Sequence, residues 1–494
     1  MIGGPISAAP ISAAYQQPVQ LGVSFVGRGV MAAAASALLR GGLVLSGAGV
    51  LAGRGDRVKR SAVTMAGGGS IAAAALFRIY AATREFITNP GDVLPNTPFW
   101  GTVQKALRFD RSIIGGQGFG DVTAGWGELE LINAEGDYDY LIGNYAIDGR
   151  RVVVKIGAAG SSYNGFRTLF DGTATDWEPQ EDVLRVFLRD NAYKLDVPAS
   201  PNLYGGTGGL DGTEELKGKR KPRAFGSVIN VTPPALIPSE LVYQVNDGPV
   251  SAITAVYDRA VVLASAGDYA TAALLRAATT GAAGSGAAVE AGEYATCLAA
   301  GLFRLGGSPI GTVTCDCEGD EAGGTYVDST ADIVKRLIVD TARLAEPGEI
   351  SQPSFDAFNA DQPAPVGYWI ADGSEITVQQ VVSELLTGAG GFGGFRRNGR
   401  FEIQVFKEPA GVPTARYDKI DLIEIARERL PGDLSPTPWR FRVQWGRNWT
   451  VQTDVDGQAG VTAARSAFLR EDVRLAEASD ARIRADRPLG KDIE

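Results

Sequence analysis

The sequence of 494 residues contains no histidine and only three cysteines. The absence of histidine excludes Ser-His-Asp triads, histidine metal sites and histidine pH switches. Three thiols cannot form a disulfide framework or supply the four ligands of an iron–sulfur cluster. A low number of cysteines is typical of proteins that assemble in a reducing compartment. We expect Cys297, Cys315 and Cys317 to be small buried hydrophobes, the last two pointing to opposite faces of one strand, and we expect no bound metal or cofactor.

Long apolar runs and phosphate-binding motifs are also missing. The most apolar region, Val23–Gly53, is interrupted by Arg28 and Arg40, so it lacks the roughly 18 uninterrupted apolar residues of a transmembrane helix. Residues 1–10 lack the charged start and apolar core of a signal peptide, and no GxxxxGKS or GxxxxGKT loop occurs. A net charge of −10 disfavours binding to nucleic-acid phosphates. We expect a soluble protein without a transmembrane segment and without sequence-specific nucleic-acid binding.

Glycine and proline, by contrast, are abundant. The chain has 64 Gly and 25 Pro and only 21% charged residues, which favours many short strands and turns over long helices. The sequence predicts a mainly β, multi-domain fold with barrel-like antiparallel domains and a smaller α+β part. The predicted segments are a Gly/Ala-rich N-terminal arm at 1–75, a first β-barrel-like domain at 76–215, a second at 216–327, an α+β domain at 328–415, and C-terminal strands with a charged helix at 416–494.

An internal repeat of 20 residues runs through the N-terminal arm. Residues 21–40, 41–60 and 61–80 align without gaps, and each unit has alternating apolar residues before a glycine-containing turn. Each unit therefore predicts strand, turn and strand, and the units could stack as a meander or a small solenoid. We interpret the segment as a docking arm, with a flexible leader as the alternative. The turns lie in register at 27–29, 47–49 and 67–69.

Short strands are expected at close spacing between residues 76 and 203, which suggests a small antiparallel barrel or sandwich. Four aromatic residues lie beside these strands, and we expect them to be core or packing aromatics rather than ligand platforms. The expected strands are Phe77–Ala81, Thr102–Phe109, Gly127–Ile132, Arg151–Ile156, Phe166–Thr173 and Val183–Leu188. The four aromatic residues are Phe99, Trp100, Trp126 and Trp177.

The chain changes character three times after residue 216. A basic turn, Lys217–Arg223, precedes the strand-forming run Val228–Val231, which two prolines stop. Leu241–Val245 and Val250–Tyr257 then flank Asn246-Asp247-Gly248, whose residues tolerate positive φ. This pattern predicts a β-hairpin.

Two helices in the α+β region have recognisable boundaries. Ser329 or Thr330 can cap the first. Thr377 and Gln380 form a capping box for the second, which ends at Gly388 before a flexible glycine-rich stretch that reaches residue 394. The apolar stripe of the first helix is Ile333, Val334, Leu337, Ile338 and Leu344. The later expected elements are a strand–turn–strand unit at Phe395–Phe401, strands at Leu422–Ala426, Arg440–Trp445 and Thr450–Thr453, and a charged helix at Val461–Glu477.

Residues 440–445 alternate between two kinds of side chain. Phe441, Val443 and Trp445 are expected to form a buried face, and Arg440 and Arg442 a polar one. Arginines interleaved with aromatic residues could follow single-stranded nucleic acid. We interpret the polar face instead as solvated or as part of a contact between subunits.

Acidic clusters are the candidate catalytic or metal-binding groups. Glu135–Asp139 and Asp316–Glu321 could offer oxygens to a cation, but both are interpreted as solvated turns, with a weak calcium site as the alternative for the second. The pairs Asp137/Asp139 and Glu214/Glu215 are too close in sequence to be distinguished from solvated charge. We predict no catalytic, cofactor-binding or metal-binding residues, and no enzyme.

Several phrases carry a family resemblance that spans roughly residues 76 to 470. They are KGKRKPRAFGSVINVTPP, LVYQVNDGPV, AVYDR, AGLFRLGGSP, GTVTCDCEGD, TVQQVVSELLTGAGGFGGFRRNGRFEI and RVQWGRNWTVQ. Together they resemble the tail-tip (baseplate) hub proteins of siphophages and related gene-transfer particles. The resemblance implies a virion structural protein, assembled in the host cytoplasm, that closes the tail tube as a homo-oligomer, with a trimer as the family expectation.

The same resemblance implies the partners and symmetry of the particle. The partners would be the distal tail protein, the tape measure protein and tail fibres or other tail-tip proteins, with roles in host attachment and DNA passage. Paired barrel-like domains in a trimer would form a pseudo-sixfold ring that matches the tube. An acidic chain would also let a lumen rich in Asp, Glu, Ser, Thr or Gly pass DNA without binding it.

Two other functions remain open at this stage. A carbohydrate- or receptor-binding β-module would be distinguished by exposed, coplanar tryptophans and by glycan binding as a monomer. A glycan hydrolase is the less favoured alternative, because its two carboxylates could lie far apart in the sequence.

Overall fold

The computed structural model describes residues 78–110, 125–407, 411–413, 415–422, 424–426, 438–455 and 459–493, together with five strands among the first 77 residues. The described residues form more strand than helix, and the mostly antiparallel sheets include a half-barrel. The mainly β fold class is therefore confirmed.

The chain divides into two compact units, Met1–Gln104 with Ser162–Asn164, and Lys105–Ser161 with Gly165–Glu494. No helix among the described residues is long and apolar enough to cross a membrane.

The first five strands follow the 20-residue repeat. Every pair is parallel and joins residues 20 apart, as where Met31 lies opposite Leu51 and Leu43 opposite Val63. This is the register of a solenoid, whereas a meander would pair neighbouring strands antiparallel. The predicted glycine turns lie outside the described residues. The strands are β1 (Met31–Ala35), β2 (Leu43–Ser46), β3 (Val50–Gly55), β4 (Val63–Ala66) and β5 (Ser70–Ala75).

The rest of the first unit is held by a small group of aromatic rings. Strands β6 (Phe86–Ile87) and β7 (Pro98–Phe99) pair antiparallel. The ring of Phe99 stacks on Phe86 at 4.7 Å, so this residue packs as expected. Trp100 is nearly half exposed, so the expectation of a core position is wrong for it. The described residues of the expected strand 77–81 contribute only an isolated bridge, between Ala81 and Trp100.

The second unit begins with a five-stranded sheet in the order β10-β11-β12-β9-β8. Leu184, Val186 and Leu188 are buried on one face of β12, and Leu184 lies opposite the buried Leu131 of β9. The alternation of buried and half-buried residues is the one expected for a strand with a single covered face. The elements are β8 (Val103–Asp110), β9 (Trp126–Ile132), helix α1 (Asp139–Asn144), β10 (Arg151–Ile156), β11 (Arg167–Gln180) and β12 (Val183–Arg189).

Two five-stranded sheets enclose the central core, in the orders β17-β16-β23-β13-β24 and β14-β15-β22-β21-β18. Val228 and Cys315 from the first sheet and Tyr243 and Phe303 from the second belong to one buried cluster. The elements are β13 (Arg223–Val231), β14 (Ala235–Ile237), β15 (Val242–Gln244), β16 (Val250–Asp258), β17 (Val261–Val262), β18 (Ala264–Asp268), α2 (Ala272–Ala277), β19 (Thr280–Gly281), β20 (Val289–Glu290), β21 (Glu293–Cys297), β22 (Leu302–Leu305), β23 (Val313–Asp320) and β24 (Gly367–Ile370).

The predicted hairpin around Asn246 is wrong, because β15 and β16 belong to different sheets. Distant groups bind the turn and redirect the chain. The backbone N–H groups of Val245 and Asn246 donate to the carbonyl of Gly301, and that of Asp247 donates to Pro222 at 2.8 Å. The side-chain oxygen of Asn246 also accepts from the N–H of Ala224 at 3.0 Å. The turn therefore carries the chain from one sheet to the other.

Strand β23 overturns two expectations. Cys315 and Cys317 are both buried in the same core, because side chains two residues apart on a strand share a face, so the expectation of opposite faces is wrong. Burial raises the pKa of both thiols, which are neutral small hydrophobes as expected. Asp316 and Asp320 lie within the strand, so the interpretation of this acidic run as a solvated turn is wrong for them.

The α+β region forms the next core. Ser329 caps the first helix, and Thr377 and Gln380 form the predicted capping box of α5. Helix α4 has no counterpart in the sequence predictions, and residues 391–394, expected to be flexible, belong to β25. The elements are α3 (Thr330–Arg336), a π-helical turn (Leu337–Thr341), α4 (Gln352–Asp361), α5 (Val378–Gly388), β25 (Gly391–Phe395) and β26 (Phe401–Val405).

The C-terminal region contains a three-stranded sheet in the order β28-β27-β29. The expected strands at 422–426 and 450–453 do not form among the described residues, and the expected helix at 461–477 is shorter and is followed by a strand. The elements are β27 (Pro438–Trp445), α6 (Ala463–Arg470), β28 (Arg474–Ser479), α7 (Ala481–Asp486) and β29 (Lys491–Ile493).

Candidate interaction surfaces

The basic turn before β13 joins parts of the same chain. The Arg220 guanidinium lies 2.8 Å from the Glu375 carboxylate, just before α5. The Lys221 ammonium lies 3.7 Å from Asp247, in the turn between the two central sheets. These cations are already paired with acids, which leaves little of the turn's charge for the phosphates of a nucleic acid.

Arg223, the last cation of that turn, is buried beside a second ion pair. It donates to the carbonyl of Ala199 and to the hydroxyl of Thr341 at 2.8 Å. Nearby, Arg336 of α3 lies 2.9 Å from the buried carboxylate of Asp320. Burial raises the pKa of Asp320, and the two arginines oppose that shift. Removal of one member would leave a buried charge uncompensated, so these groups form a structural joint between β23 and α3.

Asp316, also on β23, forms a second joint. Its carboxylate accepts from the backbone N–H of Asn230 at 2.7 Å and from the hydroxyl of Tyr257 at 2.8 Å. Arg465 of α6 lies 3.8 Å away and stacks over the Tyr257 ring. Burial and the hydrogen bond to Asp316 raise the pKa of Tyr257 to about 12. The phenol therefore stays protonated near neutral pH and acts as a donor.

Two buried asparagines complete that joint. The Asn230 amide donates to the Asn448 side chain at 2.7 Å and to the Thr450 carbonyl at 2.6 Å. The Asn448 amide donates in turn to the carbonyl of Leu469 at 3.0 Å. The residues expected to form a strand at 450–453 are instead held against the end of β13 through these polar groups.

A duplication that the sequence reasoning missed lies across the second central sheet. Residues 235–245 and 295–305 each form a strand, a short 3₁₀ turn and a strand. Leu241 and Gly301 end the two turns with the same left-handed conformation, at φ 60° and 61°. The N–H of Val245 donates to Gly301 at 2.8 Å, and that of Leu305 donates to Leu241 at 3.1 Å. These reciprocal bonds relate the two segments by a pseudo-twofold axis.

The axis passes beside a pair of aromatic rings. Tyr243 and Phe303 lie opposite each other in the antiparallel pair β15–β22, and their rings stack at 5.1 Å. Ala235 and Ala295 are the one identity in the aligned segments, so only the shared apolar pattern could have revealed the duplication.

The other acidic candidates lie in solvent-exposed turns. Glu135 and Asp137 are exposed. The Asn133 side-chain amide donates a hydrogen bond of 2.8 Å to the Asp139 carboxylate, which holds the turn. Glu214 and its neighbour Glu215 are exposed at the start of a short 3₁₀ helix. Among the residues that the structure describes, no group of three or more acidic or cysteine side chains could hold a metal ion.

The tryptophans expected in the core divide into two groups. Trp177 is partly buried on β11, whereas Trp126, on β9, is 55% exposed, so the core expectation is wrong for Trp126. Its sheet carries an ion-pair network on the same face, in which Arg185 lies 3.7 Å from Glu130. This face is polar with one open aromatic side chain.

The arginines of β27 are paired within their own sheet. Arg442 lies 2.9 Å from Asp492 of β29, and Arg440 lies 3.5 Å from Glu477 of β28 and also pairs with Asp492. The pKa of Asp492 is lowered, chiefly by the hydrogen bond from Arg440. Contacts with phosphates would have to replace these pairs, so the nucleic-acid interpretation gains no support.

The opposite face of β27 is apolar and open. Phe441 and Val443 are about half exposed and Trp445 is 58% exposed, so the expectation that this face is buried is wrong. Among the residues whose burial the structure describes, none of β27 or β28 belongs to a hydrophobic core cluster. We call these three side chains the β27 strip.

Comparison with known proteins gives no family. No protein-family model matches the chain, and no curated protein matches it significantly.

Proposed function

We propose that the chain is a structural hub of a phage tail tip or baseplate. It would oligomerise as a trimer, close the tail tube and attach other tail-tip proteins, and it would take part in host attachment and DNA passage. The resemblance of the quoted phrases and the mainly β architecture support this class of protein.

One observation carries the proposal: the ionisable groups singled out in the central domains form joints between parts of the chain, while strand faces remain open. Arg220, Arg223, Asp316 and Asp320 each bind another segment of the chain. Tyr257 is held as a protonated donor. Such groups fix the geometry of a scaffold, and the open strand faces are available for contacts between proteins.

The family resemblance implies the symmetry: paired barrel-like domains in a trimer would form a pseudo-sixfold ring that matches the tube. Neighbours would be the distal tail protein, the tape measure protein and tail fibres, and a lumen rich in Asp, Glu, Ser, Thr or Gly would let DNA pass.

The location of the chain in a particle tests this function. Antibody–gold labelling of purified phage or gene-transfer particles that encode the chain should place label at one tail end, with particles from a deletion strain as the control. Absence of the chain from purified particles, or label on the head, would contradict the proposal.

Exposed tryptophans favour a second candidate, a carbohydrate- or receptor-binding module. Trp126 and Trp445 are both more than half exposed, but they lie on different sheets. Stacking on sugar rings would make each contribute to binding. Glycan-array binding by a monomer, lost in W126A or W445A, would favour this candidate over the hub.

A further inference from the structure

Trp126 is an open aromatic side chain on a firmly held strand end. The residue before it, Gly125, donates its backbone N–H to the Asp190 carboxylate at 2.9 Å and accepts from the N–H of Asp190 at 3.0 Å. The same carboxylate accepts from the N–H of Ala192 at 2.9 Å, so the ends of β9 and β12 are tied together. An exposed aromatic residue on such a fixed support is suited to stacking against a flat ligand.

Arg189 lies directly across from Trp126 in the antiparallel pair of β12 and β9. Side chains in such a pair start about 5 Å apart. The Arg189 guanidinium stacks over the Tyr193 ring, 4.2 Å from its centroid, and lies 3.7 Å from the exposed Asp148 carboxylate, beyond hydrogen-bond range. Its Nε atom is buried and has no hydrogen-bond partner among the described residues. The guanidinium is therefore held beside Trp126 with donor capacity left.

Thr173 continues the same row across the sheet. It lies opposite Arg189 on β11 and is only 5% exposed. Its buried hydroxyl also lacks a hydrogen-bond partner in the part of the chain that the structure describes. Most buried polar groups in folded proteins have a partner, so two adjacent exceptions need an explanation. A carboxylate can accept from both a guanidinium and a hydroxyl, so an anionic ligand would supply the missing partners.

The acidic side chains on this sheet face limit the kind of anion. Glu128 follows Trp126 by two residues on β9, and Glu178 lies opposite Arg185, so both carboxylates share the face. Arg185 holds them only loosely, at 4.0 Å from Glu128 and 3.9 Å from Glu178. Free carboxylate oxygens accept hydrogen bonds from sugar hydroxyls, whereas they repel a chain of phosphates. The face therefore suits a ligand that combines a carboxylate with hydroxyl groups.

We propose that this part of the sheet binds an acidic sugar, such as a hexuronate unit of a polysaccharide. The indole of Trp126 stacks on the sugar ring, Arg189 binds the sugar carboxylate, and Glu128 accepts from the hydroxyls. The site consists of Trp126, Glu128, Thr173 and Arg189, and we call it the Trp126 site. The inference goes beyond the hub function: it deepens the carbohydrate-binding candidate and assigns the ligand class and the site.

A glycan array tests the ligand class with the full-length chain. The array carries oligosaccharides with hexuronate or sialate units and, for each, the neutral form whose carboxyl group has been reduced to an alcohol. We expect binding to acidic oligosaccharides and loss of binding to their reduced forms. Absence of binding to every acidic oligosaccharide, or equal binding to the reduced forms, would overturn the proposal.

Variants locate the site by titration with the acidic oligosaccharide that binds best. W126A and R189Q should each weaken binding by about tenfold or more, because each removes a direct contact. The matched control is W445A, since Trp445 is a similarly open tryptophan, at 58% exposure, on another sheet. It should leave the dissociation constant unchanged. Binding that is lost in W445A and kept in W126A would refute the Trp126 site.

The D148N variant separates binding from a merely structural role of Arg189. This substitution removes an exposed carboxylate that competes with the ligand for the guanidinium. We expect binding to strengthen by about two- to fivefold, the range of an exposed ion pair. A misfolded sheet would explain a loss in R189Q but not this gain. Weaker binding in D148N would contradict the role of Arg189.

The remaining outcomes distinguish this site from the hub function. Stronger binding to single-stranded DNA than to any acidic oligosaccharide, lost in W126A, would refute the sugar as the ligand. A trimer that binds no acidic oligosaccharide would refute the site and leave the hub standing. A monomer that binds through Trp126 would support the site and contradict the hub.

Discussion

Asn230 combines a left-handed backbone, at φ 57°, with a fully buried amide that binds Asn448 and Thr450. We predict that N230G lowers the free energy of unfolding by about 1–3 kcal/mol, because buried partners lose their hydrogen bonds. N230A should lower it by roughly 1 kcal/mol more, because alanine resists this backbone conformation. Urea unfolding monitored at the C-terminal segment checks both. Equal stability of the two variants would show that the backbone conformation contributes nothing.

Asp211 closes a glycine-rich loop and should make that loop sensitive to acid. Its carboxylate accepts from the hydroxyl of Thr207 at 2.7 Å and from the N–H of Gly205 at 3.0 Å. These bonds lower the pKa of Asp211 below the usual 3.8. For a lowered acid pKa, the stabilisation is present above pH 3.8 and is lost as the pH falls through the folded value.

Hydrogen exchange of the loop checks that prediction. Corrected for intrinsic rates, protection around Gly205 should fall as the pH drops below 3.8. The D211N variant should show this loss of hydrogen-exchange protection already at neutral pH. E215Q, an exposed carboxylate of the same loop, is the control and should change nothing. Undiminished protection in D211N would refute this role of the carboxylate.

The residue-level predictions from sequence succeeded where the partner was local. Thr377 and Gln380 lie one helical turn apart, so their mutual capping could be read directly. Asp316 looked like part of a solvated turn, because its partner Asn230 lies 86 residues away in the sequence. The buried joints depend on such distant pairs, which no local pattern encodes.

At the level of elements, the second of the two duplicated turns leaves no room for a side chain at Gly301. A Cβ at Gly301 would lie 2.6 Å from the carbonyl oxygens of Asn246 and Gly248. Gly292 has a positive φ too, but open space around it. We predict that G301A destabilises the central sheets by about 1–3 kcal/mol more than G292A does, because the backbone must shift. Thermal unfolding compares them, and equal melting temperatures would contradict the close packing at the axis.

The capping box of α5 offers a second test at this level. Thr377 accepts from the N–H of Gln380, and the Gln380 side chain accepts from the N–H of Thr377. We predict that T377A lowers the free energy of unfolding by about 1 kcal/mol, because a helix N–H loses its partner. T377S keeps the acceptor oxygen and should retain most of the stability. A T377A variant as stable as the original chain would show that the cap is redundant.

Element types were easier to predict than element partners. The run Val250–Tyr257 is a strand as expected, yet it pairs with β23 and not with β15. The Asn246 turn suits a hairpin locally, but the carbonyls of Gly301 and Pro222 bind its N–H groups and set its direction. Likewise the alternation at 440–445 predicted a two-faced strand but not which face lies open.

For the whole molecule, composition and repeats were the informative signals. The abundance of glycine and proline indicated a mainly β fold, and the 20-residue period reappears as the register of the parallel strands at 31–75. The duplication of residues 235–245 and 295–305 could not be predicted from the sequence, because the two segments share an apolar pattern and little identity. The β27 strip could not be predicted either, because the exposure of its side chains emerges only from the folded chain.

The mass of the purified chain in solution tests the hub account most directly. Mass photometry of the full-length chain, over a range of concentrations and salt, measures it without labels. The account predicts a discrete species with three times the 51.8 kDa mass of one chain. Static light scattering extends the measurement to higher protein concentrations. A single species at 51.8 kDa in both measurements, under all conditions, would contradict the account.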